Sequence, residues 1–583
     1  MLRRKLIGVL LLSAFVLPTL TFGQTAPKVY EAPKEIIDKV KDEGLNRSQV
    51  MQTLSYMTDV IGPRLTGSPG MKRGNDWTRE MLEKWGLQNA RLESWGPFGR
   101  GWTLKKFYAT VDGPVAFPMI AHPKAWSPGT DTLFPAPVVD PKAKKPKTPA
   151  PAAPQSTTYT SEVVTFNPQN EGELEQFKGM LKGKIVLVGA VRELKAEFEP
   201  QGTRRTEANL LELANAPNPN ALPRPAAGGG PGPNAANVQQ FQFAARRFRF
   251  LHEEGAAILI DTSFKGDGGT IFVQGAQAVQ AGPPAVGGTP IPNVSVRDKN
   301  AIVPIQLTST PEHFNRISRM ISAGQKVTMT VDLAVEFQDE DLNGYNTIAE
   351  IPGTDPTLKE EVVMLGGHLD SWHAGTGATD NGSGCAVMME AVRILLTLGL
   401  KPRRTIRIAL WSGEEQGLLG SRAYVRQHFG YRGDGTTPAF GGGGGGGQAA
   451  LPLTKLPEYD KLSAYFNIDN GTGKIRGVYM QGNENVRPIF RSWLSPFKEM
   501  GATTLTSANT GGTDHQSFDA IGLPGFQFIQ DEVEYSTRTH HSNMDSFDRI
   551  QADDMKQMSI ILAAFVYQAA MMDEKMPRKA LRQ

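Results

Sequence analysis

The block from Val362 to Glu415 constrains this chain more than any other stretch. It opens on the apolar run Val362-Val363-Met364-Leu365, which leads into Gly367-His368-Leu369-Asp370. It closes on Thr405-Ile406-Arg407-Ile408-Ala409-Leu410, which leads into Gly413-Glu414-Glu415. Short, continuous apolar runs of this kind read as buried strands. Between them, Asp380-Asn381-Gly382-Ser383-Gly384 precedes Cys385–Leu398, where Ala386, Val387, Met389, Ala391, Ile394 and Leu395 recur close to helical spacing. Strand, polar loop, helix and strand make a βαβ unit. Sheets built from such units gather their reactive groups just beyond the carboxyl ends of the strands. The expected fold class is therefore α/β, a doubly wound, mixed but mainly parallel sheet flanked by helices.

The polar groups at those strand ends form a ligand set of oxygen and nitrogen, suited to zinc. The single cysteine, Cys385, reads as a small core residue of the helix, so histidine and carboxylate must hold any metal. Asp370, two residues beyond His368, suits a carboxylate that orients an imidazole, and Asp380 can bridge two cations with its two oxygens. Glu414 and Glu415 follow a buried strand, where two solvated glutamates are not expected. Carboxylates so close repel unless one binds metal and the other has a raised pKa. Glu415 is then a ligand and Glu414 a general base acting on water activated by the cations. Asp469, at the end of the apolar run from Leu462, completes the second metal's shell. His368 and His541 follow strands that lead to one edge of the sheet, with the neighbouring His540 leaving the register of that pair open. The expectation is a hydrolase with two zinc ions. Ser383 lies between glycines, but no Asp and His in serine-hydrolase order accompany it. Thr66 and Ser68 read as helix-capping residues.

Around this block the chain divides. Residues 1–23, with basic Arg3, Arg4 and Lys5 before apolar Leu6–Leu20, read as a signal peptide cleaved near Gly23. Residues 30–116 carry two helical patterns, Ser48–Ile61 and Met71–Trp85, and a first strand, Arg91–Trp95. They are expected to join 337–583 in one catalytic domain. The intervening 117–336 change texture: Lys142–Gln155, Ala216–Asn237 and Ala276–Gly288 are rich in Pro, Gly and Ala. Strand-like Gly183–Val188 and Ala256–Asp261 lie between them, so this region reads as an inserted β-rich α+β domain that shapes substrate access.

Charge narrows the function classes. Sixty-two basic residues against 59 acidic ones leave +3, a surplus equal to Arg3, Arg4 and Lys5 of the signal region, so the remainder is near zero. No basic stripe points to nucleic acid, and no apolar run after Leu20 approaches the about 18 residues of a membrane span. An exported protein, periplasmic or extracellular and without disulfides, fits a bacterial envelope.

At these residues the sequence resembles the M28 family of zinc metallopeptidases, which includes bacterial aminopeptidases and the plasma glutamate carboxypeptidase group. The marks are Gly367–Ser371, Asp380–Gly384, Gly413–Ser421, Asn467–Asp469 and His541–Asp545, in that order. Ile61–Ser68 resembles the family's amino-terminal region, and Gly183–Val188, Phe250–Asp261 and Ile291–Val296 resemble a protease-associated insert. The resemblance implies two zinc ions held by His368, Asp380 (bridging), Glu415, Asp469 and His541, with Asp370 as supporting carboxylate and Glu414 as base. It selects His541 over His540, because Ser-x-x-Asp follows it, and leaves His540 and His515 as substrate contacts. The implied activity is that of an exopeptidase on peptide substrates, an aminopeptidase in the first reading. A carboxypeptidase or dipeptidase on the same site is the alternative, followed by a glutaminyl-cyclase-like acyltransferase and a non-catalytic binding protein. Oligomeric state is not legible.

Overall fold

A computed structural model describes residues 28–134, 157–219, 235–280, 294–433 and 451–579. Residues 1–23, which read as a signal peptide in the sequence, the Lys142–Gln155 stretch and the glycine run Gly441–Gly447 fall outside them. An eight-stranded mixed sheet organises the catalytic region, in the order Gln88–Trp95, Gly344–Ile351, Thr405–Trp411, Val362–His368, Leu462–Asn467, Gly525–Gln530, Ile475–Tyr479, Thr504–Thr506. The four strands from Thr405–Trp411 to Gly525–Gln530 run parallel, with antiparallel pairings on both flanks. Val362–His368, Leu462–Asn467 and Gly525–Gln530 are buried at every residue. Burial on both faces is why their apolar runs are continuous instead of alternating.

Helices cover both faces. Ser383–Thr397 and Ala552–Met571 pack one face through Val387, Ile394, Met558, Ile561 and Phe565. Trp411, Tyr424, Tyr465 and Phe518 fill the other. The charged lead-in helix Lys34–Asn46 docks on the first pair by burying Glu43, whose carboxylate accepts from Arg393 Nη1 at 2.9 Å while Arg393 Nε donates to Glu390 at 2.7 Å. A buried guanidinium shared between two carboxylates avoids the large cost of an unpaired interior charge.

A second eight-stranded sheet draws all its strands from residues 101–338, in the order Phe117–Pro118, Gly101–Gly113, Thr328–Gln338, Thr158–Phe166, Ile185–Val188, Ile258–Thr262, Ile305–Ser309, Ala121–Pro123. Its strands begin at Gly101 and end at Gln338, on either side of the expected bounds 117 and 336. Gly101–Gly113 pairs antiparallel with Thr328–Gln338 along its whole length, so both long strands belong to the second sheet. Mixed polar and apolar residues in Gly101–Gly113 hide this pairing, because a partner more than two hundred residues away leaves no local pattern.

Candidate metal centre

The groups expected to hold metal converge where the parallel strands end. His368 closes its strand, and its Nε2 lies 3.3 Å from Asp380 Oδ1, 3.6 Å from Asp469 Oδ2 and 3.9 Å from Glu414 Oε2. On the other side, Asp380 Oδ2 stands 3.2 Å from His541 Nε2, which is 2.8 Å from Glu415 Oε2. Asp380 thus faces two groups, His368 with Asp469 and His541 with Glu415. Zinc bound tetrahedrally at about 2.0–2.1 Å sets its ligands about 3.3 Å apart. The separations of 3.2, 3.3 and 3.6 Å lie close to the edges of such tetrahedra, and the 2.8 Å between His541 and Glu415 is shorter.

Three buried atoms at this place, His368 Nε2, Asp380 Oδ2 and Glu415 Oε1, make no hydrogen bond. An unsatisfied buried polar atom costs about 1–3 kcal/mol. Three of them within one cluster of histidine and carboxylate mark a candidate cation site, and the donor chemistry fits zinc. The charges agree. Burial raises the Glu415 carboxyl to about 7 with help from Asp380, partly offset by His541. Glu414 is pushed well above its ordinary value by burial and by Asp514, Asp469 and Glu415. Burial works against a charged His541, but Glu415 and Asp380 outweigh it and lift the ring to about 10. Carboxylates crowded in this way need added positive charge to ionise together.

A scaffold of hydrogen bonds holds these groups. His368 Nδ1 meets the backbone carbonyl of Asp370 at 3.0 Å, whereas the Asp370 carboxylate is 3.7 Å away. That carboxylate instead accepts from Thr66 Oγ1 at 2.9 Å and from the main-chain N–H groups of Glu414 and Glu415 at 3.2 and 3.3 Å. It therefore fixes the glutamate loop, while its own carbonyl orients the histidine. Thr66 is more than a cap, for its Oγ1 also accepts from Gly413 N at 2.9 Å; Ser68 does cap the helix Pro69–Trp85. Asp545 accepts from Thr379 N at 2.5 Å and Asp380 N at 3.2 Å, clamping the loop that carries Asp380. Arg64, fully buried, donates to the carbonyls of Leu369, Thr376 and Gly377. The glycine at 384 serves loop packing, since a Cβ there would lie 2.7 Å from Ile468 O.

A cavity of about 280 Å³ opens beside the cluster, lined by Asp469, Tyr535, His540, Thr510, Glu532 and Arg205 among others. His540 faces it, its ring tilted against those of Tyr535 and His541, and burial lowers it to about 4. His515 is fully buried, its Nε2 against Gln481 and the Thr510 carbonyl; Thr510, not His515, lines the cavity. Arg64, Asp545 and Thr66 lie inside family-like motifs, so only their roles were missing from the sequence reading. Tyr535, whose hydroxyl donates to Asp469 Oδ1 at 3.4 Å, carried no signal at all.

Residues 346–566 match the sequence pattern of peptidase family M28. They belong to that family. The chain is 30% identical to Carboxypeptidase Q of Mus musculus over 269 residues, 46% of this chain and 50% of the relative. It is also 30% identical to Leupeptin-inactivating enzyme 1 of Streptomyces exfoliatus over 190 residues, 32% of this chain and 36% of that protein. It thus spans about half the length of the Carboxypeptidase Q it matches. The crystal structure of a Peptidase M28 precursor from Shewanella amazonensis shares the fold, with TM-score 0.59 at 20% identity, covering 94% of this chain and 98% of the other. The matched residues 346–566 include every one of the groups described above except Arg64, Thr66, Ser68 and Arg205.

Proposed function

We propose that this chain is an exported zinc-dependent aminopeptidase, with His368, Asp380 and Asp469 holding one zinc and Asp380, Glu415 and His541 the other. The observation that carries this reading is the pair of ligand groups sharing Asp380, with the Glu414 carboxylate at their edge. When bound, the zinc ions lower the pKa of a water and polarise the scissile carbonyl. Glu414 takes the proton that water loses as its oxygen attacks the carbonyl carbon. It returns that proton to the amide nitrogen as the C–N bond breaks. Its raised basicity in a buried, acidic setting suits both halves of this exchange.

Aminopeptidase action is supported by the charges lining the cavity. Arg205 is held by Glu532 at 3.6 Å and by the Gln530 carbonyl at 2.8 Å, and the His540 ring is neutral near pH 7. Among the described lining residues, no unpaired cation is left to anchor a free carboxylate. Carboxypeptidase action is the second reading, favoured by the likeness to Carboxypeptidase Q. The sheet formed by 101–338 fits a protease-associated insert that borders the cleft, since its region supplies Arg205. The leader-like residues 1–23 support export.

Zinc content measured alongside hydrolysis of aminoacyl-nitroanilides, dipeptides and N-blocked peptides tests the proposal. Two zinc ions per chain with cleavage of free-amino substrates is the expected result. Cleavage of N-blocked peptides alone turns the specificity to a carboxypeptidase, and absence of both zinc and turnover overturns the reading.

A further inference from the structure

We propose that Gln274, from the second sheet's region, is a positioning residue for one of the two cations, acting through the Nδ1 of His541. The inference rests on the ligand reading above. The Gln274 amide nitrogen lies 2.8 Å from His541 Nδ1, while Nε2 of the same ring faces Asp380 and Glu415. An imidazole that binds a cation through Nε2 carries its proton on Nδ1, and that N–H needs an acceptor. A half-turn of the amide exchanges its NH2 for its oxygen, which then accepts that N–H. His368 meets the same need through a main-chain carbonyl, that of Asp370.

The backbone around Gln274 is pinned from both sides. Val273 N donates to His541 O at 3.0 Å, Asn543 N to Ile271 O at 3.1 Å, and Ile271 N to Asn543 Oδ1 at 2.8 Å. On the opposite side, Ala125 N donates to Gln274 O at 3.1 Å and Ala276 N to Ala125 O at 2.8 Å. His541 itself has φ of +62°, a left-handed conformation uncommon outside glycine, though histidine is among the residues that visit it. The hydrogen bonds of Ile271 and Val273 tether the backbone there. The region inserted between the two halves of the catalytic sheet thereby sets the direction of a metal ligand, besides bordering the cleft.

Titration of the full chain with Zn²⁺ against a competing chelator tests this. Wild type is expected to take up two ions, and Asp469→Asn identifies the step that belongs to the His368 group. Gln274→Leu should weaken the other step about 10-fold and leave the His368 step unchanged. Gln274→Glu, which keeps an acceptor, should restore it, and the metal-free variants should melt with wild type. Two unchanged steps in Gln274→Leu, or a Gln274→Glu as weak as Gln274→Leu, overturn the inference alone. Weakening of both steps together with a lower melting temperature of the metal-free protein also overturns it, because a general structural role would do that. A wild type that takes up no zinc overturns the ligand reading and this inference with it.

Discussion

Thr66→Val is the substitution that best separates the hydrogen-bond scaffold from the metal ligands. Thr66 is fully buried, and its hydroxyl donates to the Asp370 carboxylate and accepts from Gly413 N, both at 2.9 Å. Valine keeps the shape and deletes both bonds. A hydrogen bond to a charged group is worth about 1.5–3 kcal/mol, and an orphaned buried N–H costs about 1–3 kcal/mol. Asp370 keeps the N–H groups of Glu414 and Glu415, so the two terms do not simply add, and a loss of about 2–4 kcal/mol is expected. The loop bearing both glutamates also loses a tether, and a displacement near 1 Å would lower kcat by about 10²-fold. Calorimetric unfolding and kcat on the best substrate should be measured for Thr66→Val beside Thr66→Ser. The serine keeps the hydroxyl and should fall within about 1.5 kcal/mol of wild type, the cost of a lost methyl group. Equal stability and turnover in the two variants would refute the argument, since the methyl group and not the hydroxyl would then matter.

Glu414→Gln should lower kcat by about 10²–10⁴-fold with zinc content unchanged, as checked by metal analysis on the assayed sample; unchanged turnover removes Glu414 as the base. His428 supplies a pH test away from the proposed metal sites. Burial opposes its charge, but Glu458 at 3.3 Å and Glu93 outweigh that and raise the ring to about 9. Because the folded value lies above the unfolded value of about 6.5, the stabilisation is fully present below that pH and is lost as pH rises through the folded value. The stability gap between wild type and His428→Gln, measured by urea unfolding, should be constant below about pH 6.5 and shrink towards pH 9; a gap that widens with pH contradicts the assignment.

The parallel core was legible because burial on both faces writes itself into the sequence as unbroken apolar runs. Val362–Leu365 and Thr405–Leu410 fall inside observed strands, and Cys385–Leu398 is displaced by at most two residues from the helix Ser383–Thr397. Chain ends of such strands are fixed points, so His368, Glu414, Glu415 and Asp469 could be expected at one edge before any coordinates. The long strands Gly101–Gly113 and Thr328–Gln338 were not legible. They carry polar residues on an exposed face, and what makes them strands is their mutual pairing.

The sequence by itself determined the kind of sheet, the histidine and carboxylate chemistry at its edge and the order of the motifs, since these depend on residue type and local spacing. Tertiary structure alone decided which atoms do the holding. It gave His368 the Asp370 carbonyl and turned the Asp370 carboxylate towards the glutamate loop. It brought Thr66 to Gly413 across 347 positions of chain, and Gln274 to His541 across 267. Hydrogen bonds between residues so far apart leave no periodicity along the chain. They exist only once the sheet has closed and placed both partners at one edge.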